Sequence, residues 1–581
     1  MKKYLFIALA ALGFAACAEH IDGPNAPIHN GELEESYIAI NLMSADSDTR
    51  AIDDDPYGNA DEYGYEDGTD AERLIKTAYF FFFDENGNPF NVTGAPATAP
   101  GGAKNHLSLT IGNTTGKGDP NVSDIKEAVL ILNTYKGVYP KQVVAVLNWT
   151  PRDIAYSLSD LHDELATIGN DDAGYVMSNS VYMNSGNKMV DAVPLTDANI
   201  KKSADEAKNT PVEIYVERVA AKVVLTASGK VADNNIFSTK TTSQLVTLSE
   251  ITATPVYVQL NGWELYNDYA TSNLLKNIDT TWSVEDLGLT WNDIPYFRCY
   301  WADSQDTDIE DSFSWSYQDY ESKGFKTAYG FGIAAANDKY ATRSTYTYCG
   351  ENTNGEKLRT KVILKGQLMQ KNGETYEPLE LASWYGNEYA GEENLKRAVA
   401  NSLAYTLFYA NGTDANGNNI YTSISYTDID CVAGGTIDPE AKAYDVYFKL
   451  SDAGDDKTWY QYSTSSGYQL LGSADNHIDS TNAYLAANVE PALLYTKGQT
   501  YYILDIKHLG AAGKTAEFGV VRNHVYQIDI KSIQGYGSPY YGGLSNIVTP
   551  EYPEKYDDTY VAARINVLSW KVVKQGVDIV Q

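Results

Sequence analysis

What most constrains this chain is a succession of short apolar or alternating runs with almost no long helical pattern between them. They lie at Thr77–Phe83, Ala128–Leu132, Gln142–Leu147, Val212–Val216, Ala221–Thr226, Pro255–Leu260, Lys361–Leu368, Tyr444–Leu450, Tyr501–Ile506 and Val525–Ile530. Alternation with period two puts every second side chain on one face, the pattern of a half-buried strand. Tyrosine, at 46 of 581 residues, supplies the bulky amphipathic side chains that suit such surfaces. Short strands without intervening long helices stack as antiparallel sandwiches and not as parallel α/β layers, so the expected fold is all-β. A few helical insertions are expected, such as Ser157–Ala166 and Glu392–Leu407. At 581 residues the chain exceeds one ordinary core, and two large domains are expected.

Charge and cysteine content exclude several function classes. A net charge of −33 repels phosphate backbones and argues against nucleic acid as a partner. Beyond Cys17 only Cys299, Cys349 and Cys431 remain, so at most one intrachain disulfide can form and the fold cannot rest on such bonds. There is no C-x-x-C, and the seven histidines form no H-E-x-x-H, so neither zinc nor any other cofactor is expected. Asp84-Glu85-Asn86-Gly87-Asn88-Pro89 follows an aromatic strand and reads as an Asn-Gly turn, with a calcium loop as the alternative.

The first seventeen residues describe export. Two lysines, an apolar run from Tyr4 to Ala16 and small residues before Cys17 have the order of a cleavable signal, and the run is too short for a mature membrane span. Phe14-Ala15-Ala16-Cys17 resembles a bacterial lipobox, in which the cysteine is lipidated and becomes the new N-terminus; an ordinary secretory signal is the alternative. Each buried acyl methylene contributes about 0.8 kcal/mol, so two or three chains would hold the domain on a membrane. The segments expected are therefore a signal at 1–16 and a lipidated propeptide at 17–50.

Three terminal segments carry more information than any candidate active site. Ser36–Met43 places Ile38, Ile40 and Leu42 on one face and reads as a core strand. The stretch Asp53–Glu72 follows, with nine carboxylates and no basic residue, and reads as a flexible loop. Arg50 stands just before it on the same exposed connection, where proteolytic nicking is favoured. Cutting there would make Ala51 the new N-terminus and release the anchor together with the first strand; a plain linker with an accidental arginine is the alternative. Arg73 is a second, harder candidate. At the other end, Ile565 and Val567 share a face, and after a one-residue slip Leu568, Trp570 and Val572 share one. These terminal strands follow the Pro-, Tyr- and Asp-rich connector Pro550–Tyr560. They either close their own domain or complete another subunit's sheet.

At Gly519-Val520-Val521-Arg522-Asn523-His524-Val525-Tyr526-Gln527-Ile528-Asp529-Ile530, followed by Ile533-Gln534-Gly535-Tyr536-Gly537, the chain resembles the fimbrillins, or type V pilins, of Bacteroidales-type bacteria. Val216–Val223 and Tyr139–Asn148 resemble further parts of that family, and Val258–Trp263, Tyr348–Thr353 and Ala563–Gln581 resemble the branch that forms the shaft of minor, or short, fimbriae. The resemblance implies two transthyretin-like antiparallel β-sandwich domains, here 51–216 and 217–548, with a hinge and donor strand at 549–581. It further implies a palmitate-bearing lipoprotein precursor at the cell outer membrane, cut by an arginine-specific protease. The groove vacated by Ile38, Ile40 and Leu42 would then accept a neighbour's donor strand, for which Ile565, Val567, Leu568, Trp570 and Val572 are the candidates. The implied product is a virulence-associated extracellular fimbrium of identical pilin subunits with accessory anchor and tip pilins.

His524, beside Arg522, Asn523 and Asp529, offers a base and a carboxylate, but it sits at a strand start without a Gly-x-Ser-x-Gly elbow or a cysteine nucleophile. The expectation is therefore a structural pilin with no catalytic residues. A lipid-anchored surface glycan-binding protein, using exposed Trp and Tyr platforms, is the alternative.

Overall fold

The computed structural model describes residues 33–44, 64–65, 69–94, 103–110, 125–135, 137–183, 189–266, 268–278, 301–304, 346–356, 358–434, 445–473, 475–508, 510, 512–539, 561–568, 571–572 and 575–576. The fold is all-β, and among the described residues the first half builds one nine-stranded sheet. Its main members are β1 (Leu33–Ser44), β2 (Thr77–Phe83), β3 (His106–Thr110), β4 (Ile125–Tyr135), β5 (Gln142–Leu147), β6 (Met177–Asn179) and β7 (Val212–Arg218). The expected runs Thr77–Phe83 and Gln142–Leu147 are strands over those same residues.

Alternation explains how this sheet is covered on both faces. Phe80, Phe82, Val143, Ala145 and Leu147 point into one core, which Ile38, Ile40, Leu130, Leu132 and Ile214 complete. Phe81, Phe83, Val144 and Val146 point into a second, closed by Tyr156, Leu161, Val176, Leu274 and Leu275. Helix α1 is short, Leu158–His162, capped reciprocally by Ser157 and Asp160. The expected helix to Ala166 stops because Leu165–Thr167 pairs with Thr271–Asn273. Asp84 accepts from the backbone N–H groups of Asn86 and Asn88, and Gly87 takes a positive φ of 80°, so this segment is the turn that was read from sequence.

The chain then crosses to a second unit. There β8 (Ala220–Thr226), β9 (Ile236–Val246), β10 (Ile251–Tyr266), β11 (Tyr346–Gly350) and β12 (Lys361–Asn372) are followed by an inserted module. The module contains helix α2 (Gly391–Leu403), then β13 (Leu407–Thr413), β14 (Asn419–Ser423), β15 (Trp459–Ser463), β16 (Gly467–Leu470) and helix α3 (His477–Asn488). Strands β17 (Gln499–Asp505), β18 (His524–Ile533) and β19 (Val561–Leu568) complete the unit. Val223 and Leu225 of β8, with Tyr526, Ile528 and Ile530 of β18, meet Val258, Leu260, Trp263, Leu364 and Leu504 from the facing sheet. Helix α2 is shorter than the expected Glu392–Leu407 because Leu407 already pairs with Gln461.

Two sequence expectations need correction. Pairing is not purely antiparallel: β1 runs parallel to β7 and β8 runs parallel to β18. Side-chain alternation is the same in both directions, so it carries no strand polarity. Nor is Asp53–Glu72 wholly a flexible loop. Gly64–Tyr65 pairs with Lys571–Val572, and Glu72 is fully buried in the turn that ends at Arg73. Cys349 and Cys431 are both buried free thiols, and Cys299 lies outside the described residues. Among the described residues no helix is long and apolar enough to cross a membrane.

Candidate assembly site and the junction behind it

Strand β1 is enclosed along both edges. One edge pairs antiparallel with β4 from Leu33↔Tyr135 to Met43↔Ile125. The other pairs antiparallel with Ile200–Lys201 and then parallel with β7 from Ile40↔Val212 to Ser44↔Val216. Ile38, Ala39 and Ile40 are fully buried. Leu42 continues the same register, opposite Ile214 and Lys126. Withdrawing β1 would leave the backbone N–H and C=O groups of β4 and β7 without their partners and uncover an apolar slot.

The C-terminal segment takes its own-domain position. β19 pairs antiparallel with β18, with Leu568 opposite Val525 and Val567 opposite Tyr526. Ile565 lies within β19, and Val572 lies in the two-residue strand opposite Gly64. β18 pairs with β8 on one side and β19 on the other, so β19 is not needed to join the sheet's interior. Cys17, Arg50, Ala51 and Trp570 lie outside the described residues, as does the connector Pro550–Tyr560.

Sequence reasoning missed a buried polar junction between the two units. Lys222 Nζ lies 2.8 Å from Glu72 Oε1, and the Tyr348 hydroxyl donates to the same carboxylate. Arg218 donates through Nε to the Glu72 carbonyl at 2.8 Å and through Nη1 to Asn523 Oδ1 at 3.1 Å. Arg522 pairs with Glu351 at 3.1 Å and donates to the carbonyls of Asn273 and Leu274. Lys276 pairs with Glu217 at 2.8 Å. Asn523 holds φ at 56°, a left-handed conformation asparagine tolerates, and its N–H donates to the Ala220 carbonyl at 2.7 Å. Most of its residues lie in Val216–Val223, Tyr348–Thr353 and Gly519–Ile530, motifs that carry the family resemblance, and Glu72, Asn273, Leu274 and Lys276 join them from outside. Their charged residues were the available signal.

Burial pushes the Glu72 carboxyl up, but the Lys222 ammonium and the Arg218 guanidinium more than offset it and hold the group below its ordinary value. Burial pushes the Tyr526 phenol well up, so it stays protonated. Its oxygen accepts from the Val521 N–H at 2.7 Å and lies 2.9 Å from His508 Nδ1. His524 Nδ1 lies 2.7 Å from the Arg522 carbonyl, and the ring is buried at the start of β18. That is a turn-holding position. Tyr526→Phe is expected to cost about 1–3 kcal/mol, because it strands the buried Val521 donor, and urea denaturation measures the loss.

The geometry is that of an all-β protein with an enclosed first strand and a terminal strand on a sheet edge. Residues 493–576 match the family described as major fimbrial subunit protein type IV, fimbrillin, C-terminal, so this region of the chain is similar to the C-terminal part of that family. That family is one of structural fimbrial subunits, and the match supports a fimbrial role for the chain. No curated protein matches the chain in sequence. Solved structures similar to it include a candidate cell adhesion protein from Parabacteroides distasonis, at 12% identity and TM-score 0.33, covering 91% of this chain and 96% of that one. A fimbrilin from Porphyromonas gingivalis is similar at 10% identity and TM-score 0.31, covering 94% and 98%. A C-terminally truncated tip fimbrial protein from the same organism is similar at 11% identity and TM-score 0.24, covering 92% and 100%.

Proposed function

We propose that this chain is the polymerising shaft subunit of a surface fimbria, assembled by protease-triggered donor-strand exchange. The observation that supports it best is the placement of β1, which fills a slot between β4 and β7 and is followed in the chain by Arg50 and then the acidic stretch Asp53–Glu72. In this reading the precursor is anchored at the outer membrane through lipidated Cys17. An arginine-specific protease cuts between Arg50 and Ala51, and Ile38, Ile40 and Leu42 leave with the propeptide. A neighbour's terminal strand, bearing Ile565, Val567, Leu568, Trp570 and Val572, takes their place. Five such side chains contribute roughly 10 kcal/mol on burial, before ordering costs. The corresponding domains are 51–216 and 217–548, with 549–581 swinging out from the edge of β18. Residues 271–275 return to pack beneath the first unit, so the two would move together.

The test treats chain beginning at Cys17 with an arginine-specific protease, sequences the new N-terminus and follows size on unheated gels. Ala51 at the new terminus with ladders, lost on deletion of 561–581, is the expected result. Arg50→Gln is expected to leave the protein folded, uncut and monomeric. Ladders from that variant would refute cleavage after Arg50 as the trigger.

A further inference from the structure

We infer that the four-stranded sheet of the inserted module is an adhesive face for neutral polysaccharide. Its strand order is β14, β13, β15, β16, all antiparallel. One face, with Leu407, Tyr409 and Trp459, packs on the module's own core under α2. The cross-strand pairs Phe408↔Tyr460, Ala410↔Tyr421, Tyr460↔Leu470 and Tyr462↔Tyr468 place Phe408, Tyr421, Tyr460, Tyr462, Tyr468 and Leu470 together on the opposite face. Tyr468 and Leu470 are 37% and 43% exposed, and the other four are half-buried.

These rings hold one another in place. Tyr421 stacks on Tyr468 with centroids 3.6 Å apart, Phe408 meets Tyr468 edge-on at 5.2 Å, and Tyr421 meets Tyr460 edge-on at 5.1 Å. A platform ordered before binding loses little side-chain entropy when a ligand settles on it. The hydroxyls of Tyr421, Tyr460, Tyr462 and Tyr468 supply hydrogen-bonding groups on the same face.

Charge selects the occupant. In a chain of net charge −33, none of the four strands carries a charged side chain. The carboxylate in the β13–β14 turn, Asp414, is taken up by the N–H groups of Asn416 and Asn418. Lys457 lies over Tyr409, on the core face. An anionic glycan finds no cation here, and a second copy of the chain brings its own −33. A neutral sugar chain fits, since its C–H faces lie against the electron-rich faces of tyrosine rings while its hydroxyls meet the tyrosine hydroxyls.

This inference rests on the proposed place of the chain at the cell surface but not on strand exchange, which the protease assay scores separately. The experiment is native affinity electrophoresis of the full chain through gels holding laminarin, yeast mannan or amylose, with heparin as the anionic comparison. At least one neutral polymer is expected to retard the wild type, and Tyr462→Ala with Tyr468→Ala to weaken that retardation about tenfold or more. Leu470→Lys, which leaves the rings in place and puts charge on the face, is expected to weaken it as well, with unchanged circular dichroism. Retardation by none of the three neutral polymers, by heparin alone, or equally for wild type and both variants would overturn the inference. So would a wild-type dimer in sedimentation that Leu470→Lys dissolves, because the face would then be a contact between copies.

Discussion

Joining β1 to β4 by a disulfide, through Ala39→Cys with Val129→Cys, is expected to abolish polymerisation while leaving cleavage after Arg50 intact. The two positions face each other in the antiparallel register. Directly opposed residues bring their Cβ atoms close to the separation a disulfide needs. Ala39 is fully buried, so the substitution adds one sulfur and removes no large side chain. In the uncut protein the bond closes a loop of about 90 residues, worth roughly 4.5 kcal/mol in chain-entropy terms before strain. In the cut protein its consequence is larger. Strand exchange requires β1 to give up its pairing with β4 from Leu33 to Met43 and to uncover Ile38 and Ile40, at about 2–3 kcal/mol for each side chain. An incoming strand offsets those losses only if β1 departs. Oxidised variant treated with the protease should therefore stay monomeric on unheated gels, its two pieces migrating together without reductant. Dithiothreitol should restore the ladders. Ladders from oxidised, fully cut variant would mean that some other strand is displaced.

Of the two strands that frame this slot, β7 was legible in the sequence by alternation, with Val212, Ile214 and Val216 buried between Glu213 and Tyr215. Thr77–Phe83 and Gln142–Leu147, deeper in the same sheet, were legible as continuous apolar runs. What alternation cannot carry is direction and neighbour, so the parallel pairing of β1 with β7 and the return of β19 to β18 within the same chain come from the structure alone. The tyrosine-rich sheet of the module also escaped, because both of its faces are apolar or aromatic: Tyr409 and Trp459 on one side, Phe408, Tyr460 and Tyr462 on the other. Glu72 escaped for a different reason. Among nine carboxylates between Asp53 and Glu72 composition treats each alike, whereas this one is set apart by Lys222 and Tyr348, residues distant in sequence that only the fold brings to it.

That carboxylate carries the second large effect. Glu72→Ala is expected to destabilise the protein by about 3–5 kcal/mol at neutral pH, since it leaves the Lys222 ammonium buried beside Tyr346 without its counter-charge. Glu72→Leu combined with Lys222→Met should recover most of the loss, because no unpaired charge then remains, and the difference between single and double variants measures the coupling. The pH dependence follows from the sign of the shift. The folded-state value of Glu72 lies below its ordinary 4.5, so its stabilising contribution is fully present above 4.5 and is lost as pH falls through the depressed value. The gap between wild type and Glu72→Ala in urea midpoints should therefore be constant from pH 7 to about 5 and close in stronger acid. The same substitution bears on processing. Glu72 accepts from the Thr69 N–H at 2.6 Å, and its own carbonyl accepts from Arg218, so it ties the turn before Arg73 to the second unit. With that tie removed, N-terminal sequencing after protease treatment should find a second cut after Arg73 beside the one after Arg50. If Glu72→Ala melts and is cut like the wild type, the junction does not hold the turn, and the resistance of Arg73 must come from the strand that begins at Thr77.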